Sequence, residues 1–145
     1  EVRLMSAYFV TCTSFEKDEN GKVTVVHCTY DPETKSGSGF NGRKVKGTIH
    51  WVSAEHAGQV ECRLYENIVD EEKGKLNADG TLNLNPNSKT VTMAYVEPAL
   101  MEARAYDSFQ FVRNGFYCVD CKDSEEGKPF YNRIVSLKSS FRLPK

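Results

Sequence analysis

Residues Gly42 to Ser53 read GRKVKGTIHWVS, joining a compact basic cluster (Arg43, Lys44, Lys46) to a β-branched run that carries the only tryptophan, Trp51. Basic and apolar residues alternate over Lys44, Val45 and Lys46, and the pattern continues through Thr48, Ile49, His50, Trp51 and Val52. That alternation predicts a strand from Val45 to Val52 with one wet and one buried face. Trp51 is then expected in the core, and His50 in the core or at an interface. Cations along the wet face suit a phosphate backbone, but charged residues on an exposed strand are most often simply solvated.

Working outward, short β-like runs recur along the chain. Val2 to Phe15 reads as one long strand, and Asp18-Glu19-Asn20-Gly21 as a hairpin turn with glycine where positive φ is wanted. Lys22 to Tyr30 is the partner strand, and the Gly/Ser-rich stretch Asp31 to Gly42 is expected to be a mobile surface loop. Val60 to Tyr65 follows as a strand after a single helical turn over Ser53 to Gly58. Asn67 to Gly80 is polar, a loop or short helix, and Lys89 to Val96 alternates cleanly. A brief helical turn is expected over Ala99 to Ala103. Ser108 to Arg113 and Phe116 to Val119 make a hairpin about Asn114-Gly115, and Phe130 to Leu137 closes the fold after a flexible acidic loop, Asp123 to Lys128. No segment sustains 3.6-residue periodicity for three turns, so an all-β protein with under about a fifth of its residues in helix is expected. Many short strands favour a small barrel or sandwich.

Composition narrows the function classes. The chain has 145 residues, enough for one ordinary domain or two very small ones. No apolar stretch is long enough to span a bilayer, and neither GxGxxG nor GxxxxGK[ST] occurs, so no phosphate-cradling sequence is at hand. Five cysteines are an odd number, which argues against a closed disulfide framework and for reduced, mostly buried thiols of a cytosolic protein. Cys118 and Cys121 form a CxxC, yet a zinc site wants a second pair or histidines at ligand spacing, and no metal is expected. The net charge of −1 permits RNA binding without predicting it. Single-stranded bases are read by stacking and edge hydrogen bonds, and the acids are segregated into Glu66 to Glu72 and Asp123 to Glu126.

The opening run, continued by Ala54-Glu55-His56-Ala57 and by Val60-Glu61-Cys62-Arg63-Leu64-Tyr65, resembles the C-terminal region of glutaminyl-tRNA synthetases. Further anchors fall in that family's order: Glu1-Val2-Arg3-Leu4, Ala7-Tyr8, Cys28-Thr29-Tyr30-Asp31, Asn85-Pro86, Glu97-Pro98, Phe109-Gln110-Phe111, Arg113, Gly115, Cys118, Phe130-Tyr131-Asn132-Arg133 and Val135-Ser136-Leu137-Lys138. The resemblance thus covers essentially residues 1–145. It implies two small β-barrels packed together, with room for the first to be incomplete and a boundary that the sequence does not mark. It also implies that the chain is the carboxy-terminal, anticodon-binding piece of a longer cytoplasmic synthetase, which joins glutamine to tRNA(Gln) with ATP and magnesium. The piece itself is expected to lack catalytic residues and cofactors, and to have neither membrane nor DNA as a partner. Its partners would be the tRNA(Gln) anticodon loop and the catalytic domain of the same chain.

Carried over residue by residue, the resemblance gives Arg3 to the first anticodon base with Leu4 packing beside it. It gives Gln110 and Arg113 to the middle base, uracil, and brings the Ser140 hydroxyl near an anticodon base. Uracil offers two carbonyl acceptors and one imide N–H, which an amide beside a guanidinium can serve. Read as isolated residues, the two arginines are more readily taken as partners of neighbouring carboxylates, and Gln110 as an ordinary solvated side chain between inward Phe109 and Phe111. Met5 departs from the family, many members of which carry a second arginine there. The residues the family uses for the third base would precede Glu1. Three competing readings remain open: the equivalent region of an archaeal or eukaryotic-type glutamyl-tRNA synthetase, a β-barrel protein-interaction module that binds no RNA, and a small hydrolase pairing Cys62 or Cys118 with a histidine.

Overall fold

The computed structural model describes residues 1–70 and 73–137. The chain divides into two compact units, Glu1–Trp51 and Val52 onward, each built on its own sheet. Among the described residues, helix is confined to a 3-10 turn at Pro32–Thr34 and the four-residue α1, Pro98–Met101. The protein is all-β, with two separate sheets, and neither sheet closes on itself. No helix among the described residues is long and apolar enough to cross a membrane.

The first unit holds β1 (Val2–Leu4), β2 (Phe9–Lys17), β3 (Val23–Asp31) and β4 (Thr48–Ile49), in sheet order β3-β2-β1-β4. The expected single strand from Val2 to Phe15 is in fact a reversal. Ser6 takes φ 58°, Ala7 N–H bonds the Leu4 carbonyl at 3.0 Å, and the chain folds back so that Arg3 faces Phe9. No glycine or proline advertises the turn; a serine supplies the left-handed residue instead. The Asp18 hairpin forms as the sequence predicts: Asp18 N–H reaches the Lys22 carbonyl at 2.9 Å, and Gly21 takes φ 79°.

The structure departs from the sequence pattern at both ends of the 31–47 segment. The loop after Asp31 begins as an ordered 3-10 turn whose Thr34 is buried. Its hydroxyl accepts from Phe9 N–H at 2.8 Å and donates to the Asp31 carbonyl at 2.7 Å. The strand expected from Val45 to Val52 shrinks to Thr48–Ile49, because its parallel partner β1 ends at Leu4 and leaves nothing further to pair with. Trp51 is consequently 43% exposed, pinned by its indole N–H to the Met5 carbonyl at 3.0 Å, and His50 is exposed too.

The second unit holds β5 (Gly58–Tyr65), β6 (Lys89–Val96), α1, β7 (Ser108–Phe111), β8 (Gly115–Val119) and β9 (Phe130–Ser136), in order β6-β5-β9-β8-β7. Before β5, Ala57 N–H closes one helical turn onto the Ser53 carbonyl, as expected. Strand alternation sends Val60, Cys62, Tyr117, Val119 and Tyr131 into one core with Val96, against which Leu100 and Met101 of α1 pack. Tyr131 is the anchor: it is fully buried, lies against Phe109 and Phe111, and donates its hydroxyl proton to the Leu100 carbonyl at 2.6 Å. The thiols are less buried than the composition suggests. Cys62 alone is in a core; Cys12 and Cys28 are exposed because the ribbon β2–β3 leaves both of its faces open to solvent, and Cys121 is exposed in the turn after β8.

Candidate nucleic-acid interface

The sequence-derived contacts fall in different units, Arg3 and Leu4 in the first, Gln110 and Arg113 in the second. Ser140 lies outside the described residues.

In the first unit, β1 presents Arg3 opposite Phe9, and the guanidinium lies 4.3 Å over that ring. Its Nη1 donates to Ser36 Oγ at 2.8 Å, and more loosely to the carbonyls of Thr34 at 3.4 Å and Ala7 at 3.5 Å. Ser36 in turn donates to the Ala7 carbonyl at 2.9 Å. The ordered 3-10 segment therefore holds one end of the arginine, and the described bonds engage no other nitrogen of the fork. A guanidinium fixed at one nitrogen and stacked on a ring loses little further freedom on meeting a base edge. Leu4 sits beside it, half-buried, in register with Ile49.

Arg43, of the basic cluster Arg43, Lys44 and Lys46, is paired with carboxylates. Its Nη2 bonds Glu1 Oε1 at 2.6 Å and Asp31 Oδ2 at 2.7 Å, and its Nε bonds Glu1 Oε2 at 3.0 Å. These bonds hold the Glu1 and Asp31 carboxyls below their usual range. Lys44 and Lys46 remain as exposed cations on the same segment.

In the second unit, Phe109 and Phe111 turn inward, and Phe111 stacks on Tyr117 with ring centroids 4.4 Å apart. Gln110 between them is exposed, as alternation predicts. Arg113 differs from expectation: it leaves the strand and occupies the turn itself, at φ 66°, followed by Asn114, whose N–H bonds the Phe111 carbonyl at 2.8 Å. Asn114 Nδ2 also donates to the Val112 carbonyl at 3.1 Å. The turn needs glycine next, because a Cβ on Gly115 would stand 2.7 Å from the Val135 carbonyl and its φ is 152°. Gln110 and Arg113 thus project from one hairpin nailed to the core by aromatic stacking.

An ion-pair cluster on this unit is only half legible in the sequence. Arg63, buried on β5, bonds Glu61 Oε1 at 2.9 Å and the Asp123 carboxylate, lies 3.7 Å from Asp120 Oδ2, and covers the Phe130 ring at 4.8 Å. Asp120 also accepts from Asn132 Nδ2 at 2.6 Å and from the backbone N–H groups of Lys122 and Asp123, both at 2.8 Å. With those donors around it, first the Asp123 N–H, its pKa is drawn down to about 2. This cluster ties the turn after β8 to β5 and β9. The Glu61–Arg63 spacing on one strand face was the visible half of the signal; the acids that complete it lie about sixty residues away.

The arrangement suits recognition rather than covalent chemistry. Burial pushes the Cys62 thiol up to about 11, which keeps it protonated and a poor nucleophile at neutral pH. His27 is on the exposed ribbon, 2.7 Å from Glu16. Among the described residues no group of three or more His, Cys, Asp or Glu is placed to hold a metal ion.

Comparison with known proteins places these features in a context. Family models described as tRNA synthetases class I (E and Q), anti-codon binding domain, match residues 48–120 and residues 1–31. A glutamine–tRNA ligase of Clostridium perfringens is 50% identical over 147 residues, covering 99% of this chain and 26% of its own length. Those of Clostridioides difficile and Nitrosomonas europaea are 52% and 46% identical over 98% of the chain. The chain spans about a quarter of the length of these relatives.

Proposed function

We propose, because this chain belongs to the anticodon-binding-domain family of the class I E and Q tRNA synthetases, that it reads the anticodon loop of tRNA(Gln) for a glutamine–tRNA ligase. The whole protein would join glutamine to that tRNA with ATP and magnesium in the cytoplasm. Its catalytic domain would belong to the same chain, and this region would contribute binding and specificity but no catalytic group. The observation that carries the reading is identity near one half to glutamine–tRNA ligases along 99% of the chain. It favours the glutamine enzyme over the related glutamyl enzymes and over a barrel that binds no RNA.

Gln110 and Arg113 read the middle base. The Gln110 amide oxygen accepts the imide N–H of uracil while its NH2 donates to one carbonyl, and Arg113 donates to the other. Cytosine at that position would turn an amino donor toward a donor and leave an acceptor where the imide proton was, stranding polar groups at a cost of about 1–3 kcal/mol. Arg3, held at Nη1 and stacked on Phe9, addresses the first base with its remaining donors, with Leu4 as the apolar wall. Ser140 completes the set as a hydroxyl near the loop.

The test is Arg113→Ala in the full-length enzyme, measured as aminoacylation efficiency on the wild-type tRNA against a middle-base variant. Loss of about 1–3 kcal/mol in that ratio is expected. An arginine that touched only phosphate would weaken both tRNAs alike and lower the salt dependence, and an unchanged ratio would refute the base assignment.

A further inference from the structure

Cys12 and Cys28 are direct partners in the antiparallel β2–β3 pairing, so their side chains rise from the same face of the ribbon. Both are exposed. Directly opposed residues of an antiparallel pair have Cα atoms about 4.5 or 5.5 Å apart, depending on the pair type. Both values fall inside the roughly 4.4–6.8 Å that a disulfide spans. A register shift between Cys12 and Ser14 follows immediately, marking a bulge at Thr13. Bulges raise the local twist and free the strand to adjust, which eases the dihedral a cross-strand disulfide requires. The Cys12 thiol has only a loose contact at 3.7 Å to the Ser14 carbonyl to surrender.

From this juxtaposition we propose that Cys12 and Cys28 form an oxidisable dithiol, a modification site at which a low-molecular-weight disulfide closes a covalent bridge across the ribbon. The thiolate of one cysteine attacks a sulfur of the oxidant, for which glutathione disulfide serves as the probe, and expels one glutathione thiolate. The opposing thiolate then attacks the protein sulfur of that mixed disulfide and expels the second. The protein dithiol loses two electrons and two protons, and one glutathione disulfide becomes two glutathione thiols. The remaining cysteines are placed differently. Cys62 is buried with its thiol raised to about 11, and Cys118 is partly buried on β8 while Cys121 lies in the turn beyond that strand. The bridge would clamp β2 to β3 three residues from Phe9 and Asp31, the positions that carry the Arg3 stack and the Arg43 ion pair.

The experiment treats the full protein with excess glutathione disulfide, quenches it with an alkylating agent, and maps cross-links by non-reducing digestion and mass spectrometry. Within residues 1–145, the five thiols should fall to three, with a Cys12–Cys28 peptide as the dominant product. The oxidised protein should unfold at a higher temperature, a gain reversed by dithiothreitol. Cys28→Ser, an exposed substitution compatible with folding, should instead accumulate a stable glutathione adduct on Cys12. Two stable glutathione adducts in the unsubstituted protein, a dominant Cys118–Cys121 bridge, or disulfides only between molecules would each overturn the proposal.

Discussion

The two units hold themselves together by different physics. The second has a conventional apolar core in which Val60, Cys62, Val96, Tyr117, Val119 and Tyr131 exclude water. The first buries only Phe9 among its apolar residues, with Thr34 beside it, and surrounds that ring with Arg3, Phe40 and Arg43, the last held by the carboxylates of Glu1 and Asp31. Apolar burial grows with the area removed from water and is not weakened by charge screening, whereas a lattice of exposed ion pairs is weak and screened. The hairpin assigned to the middle base therefore stands on the firmer foundation, and the arginine assigned to the first base stands on the softer one.

The sharpest way to break the contrast is to empty the second core. Tyr131→Ala removes a side chain that touches Phe109 and Phe111 and strands the Leu100 carbonyl; about 3–5 kcal/mol of stability should be lost from that unit. Chemical denaturation followed by aromatic fluorescence and amide exchange would report it, with the amides of β2 and β3 exchanging as before. A smaller loss follows from Gly115→Ala, which drives a methyl toward the Val135 carbonyl at a φ that L-residues rarely adopt. About 1–3 kcal/mol is expected. Because the turn carries Arg113, middle-base discrimination should fall with it, even though no proposed base contact is deleted.

The same contrast explains what the sequence disclosed. The second unit was nearly transparent: β6, β7, β8 and β9 lie within a few residues of where alternation puts them, because a buried face writes a period of two into the chain, although the β7–β8 turn falls at Val112 to Asn114 rather than at Asn114-Gly115. The first unit has little buried face to write anything. Its reversal at Ser6 hides in continuous β-like sequence without a glycine or proline, and its 3-10 turn hides in a Gly/Ser-rich stretch because it depends on a hydrogen bond from distant Phe9 to Thr34. The resemblance supplied Arg3, Gln110 and Arg113 as candidates, while periodicity alone placed only Gln110 outward. Only the Glu61–Arg63 half of the Arg63 cluster was visible, because Asp120 and Asp123 come from the turn after β8.

Acid should probe the second unit through Asp120. Its folded pKa is depressed from 3.8 to about 2, so its contribution is present above pH 4 and is lost as pH falls from about 4 toward 2. With partial solvent screening, on the order of 1–2 kcal/mol should disappear over that window. Asp120→Asn would flatten the acid limb of the stability profile; an unchanged limb would mean that the network of Arg63, Asn132 and the turn amides does not hold this carboxylate in solution.

Salt should probe the first unit, with the smallest effect of the four. Arg43 bridges Glu1 and Asp31 while all three groups remain open to water, so each pair contributes little and that little is screened. Arg43→Gln keeps the start of the side chain but deletes the charged guanidinium that lies over the Phe9 and Phe40 rings. At low ionic strength the first unit should unfold slightly more easily than the unsubstituted protein, and the gap should close as salt is raised toward about 1 M, where the screening length shrinks to about 3 Å. Tyr131→Ala, by comparison, should cost the second unit the same at either salt concentration. A gap for Arg43→Gln that survived high salt would show that the guanidinium acts through packing on the Phe9 ring rather than through its charge, and the first unit would then have a core after all, built from arginine faces and one phenylalanine.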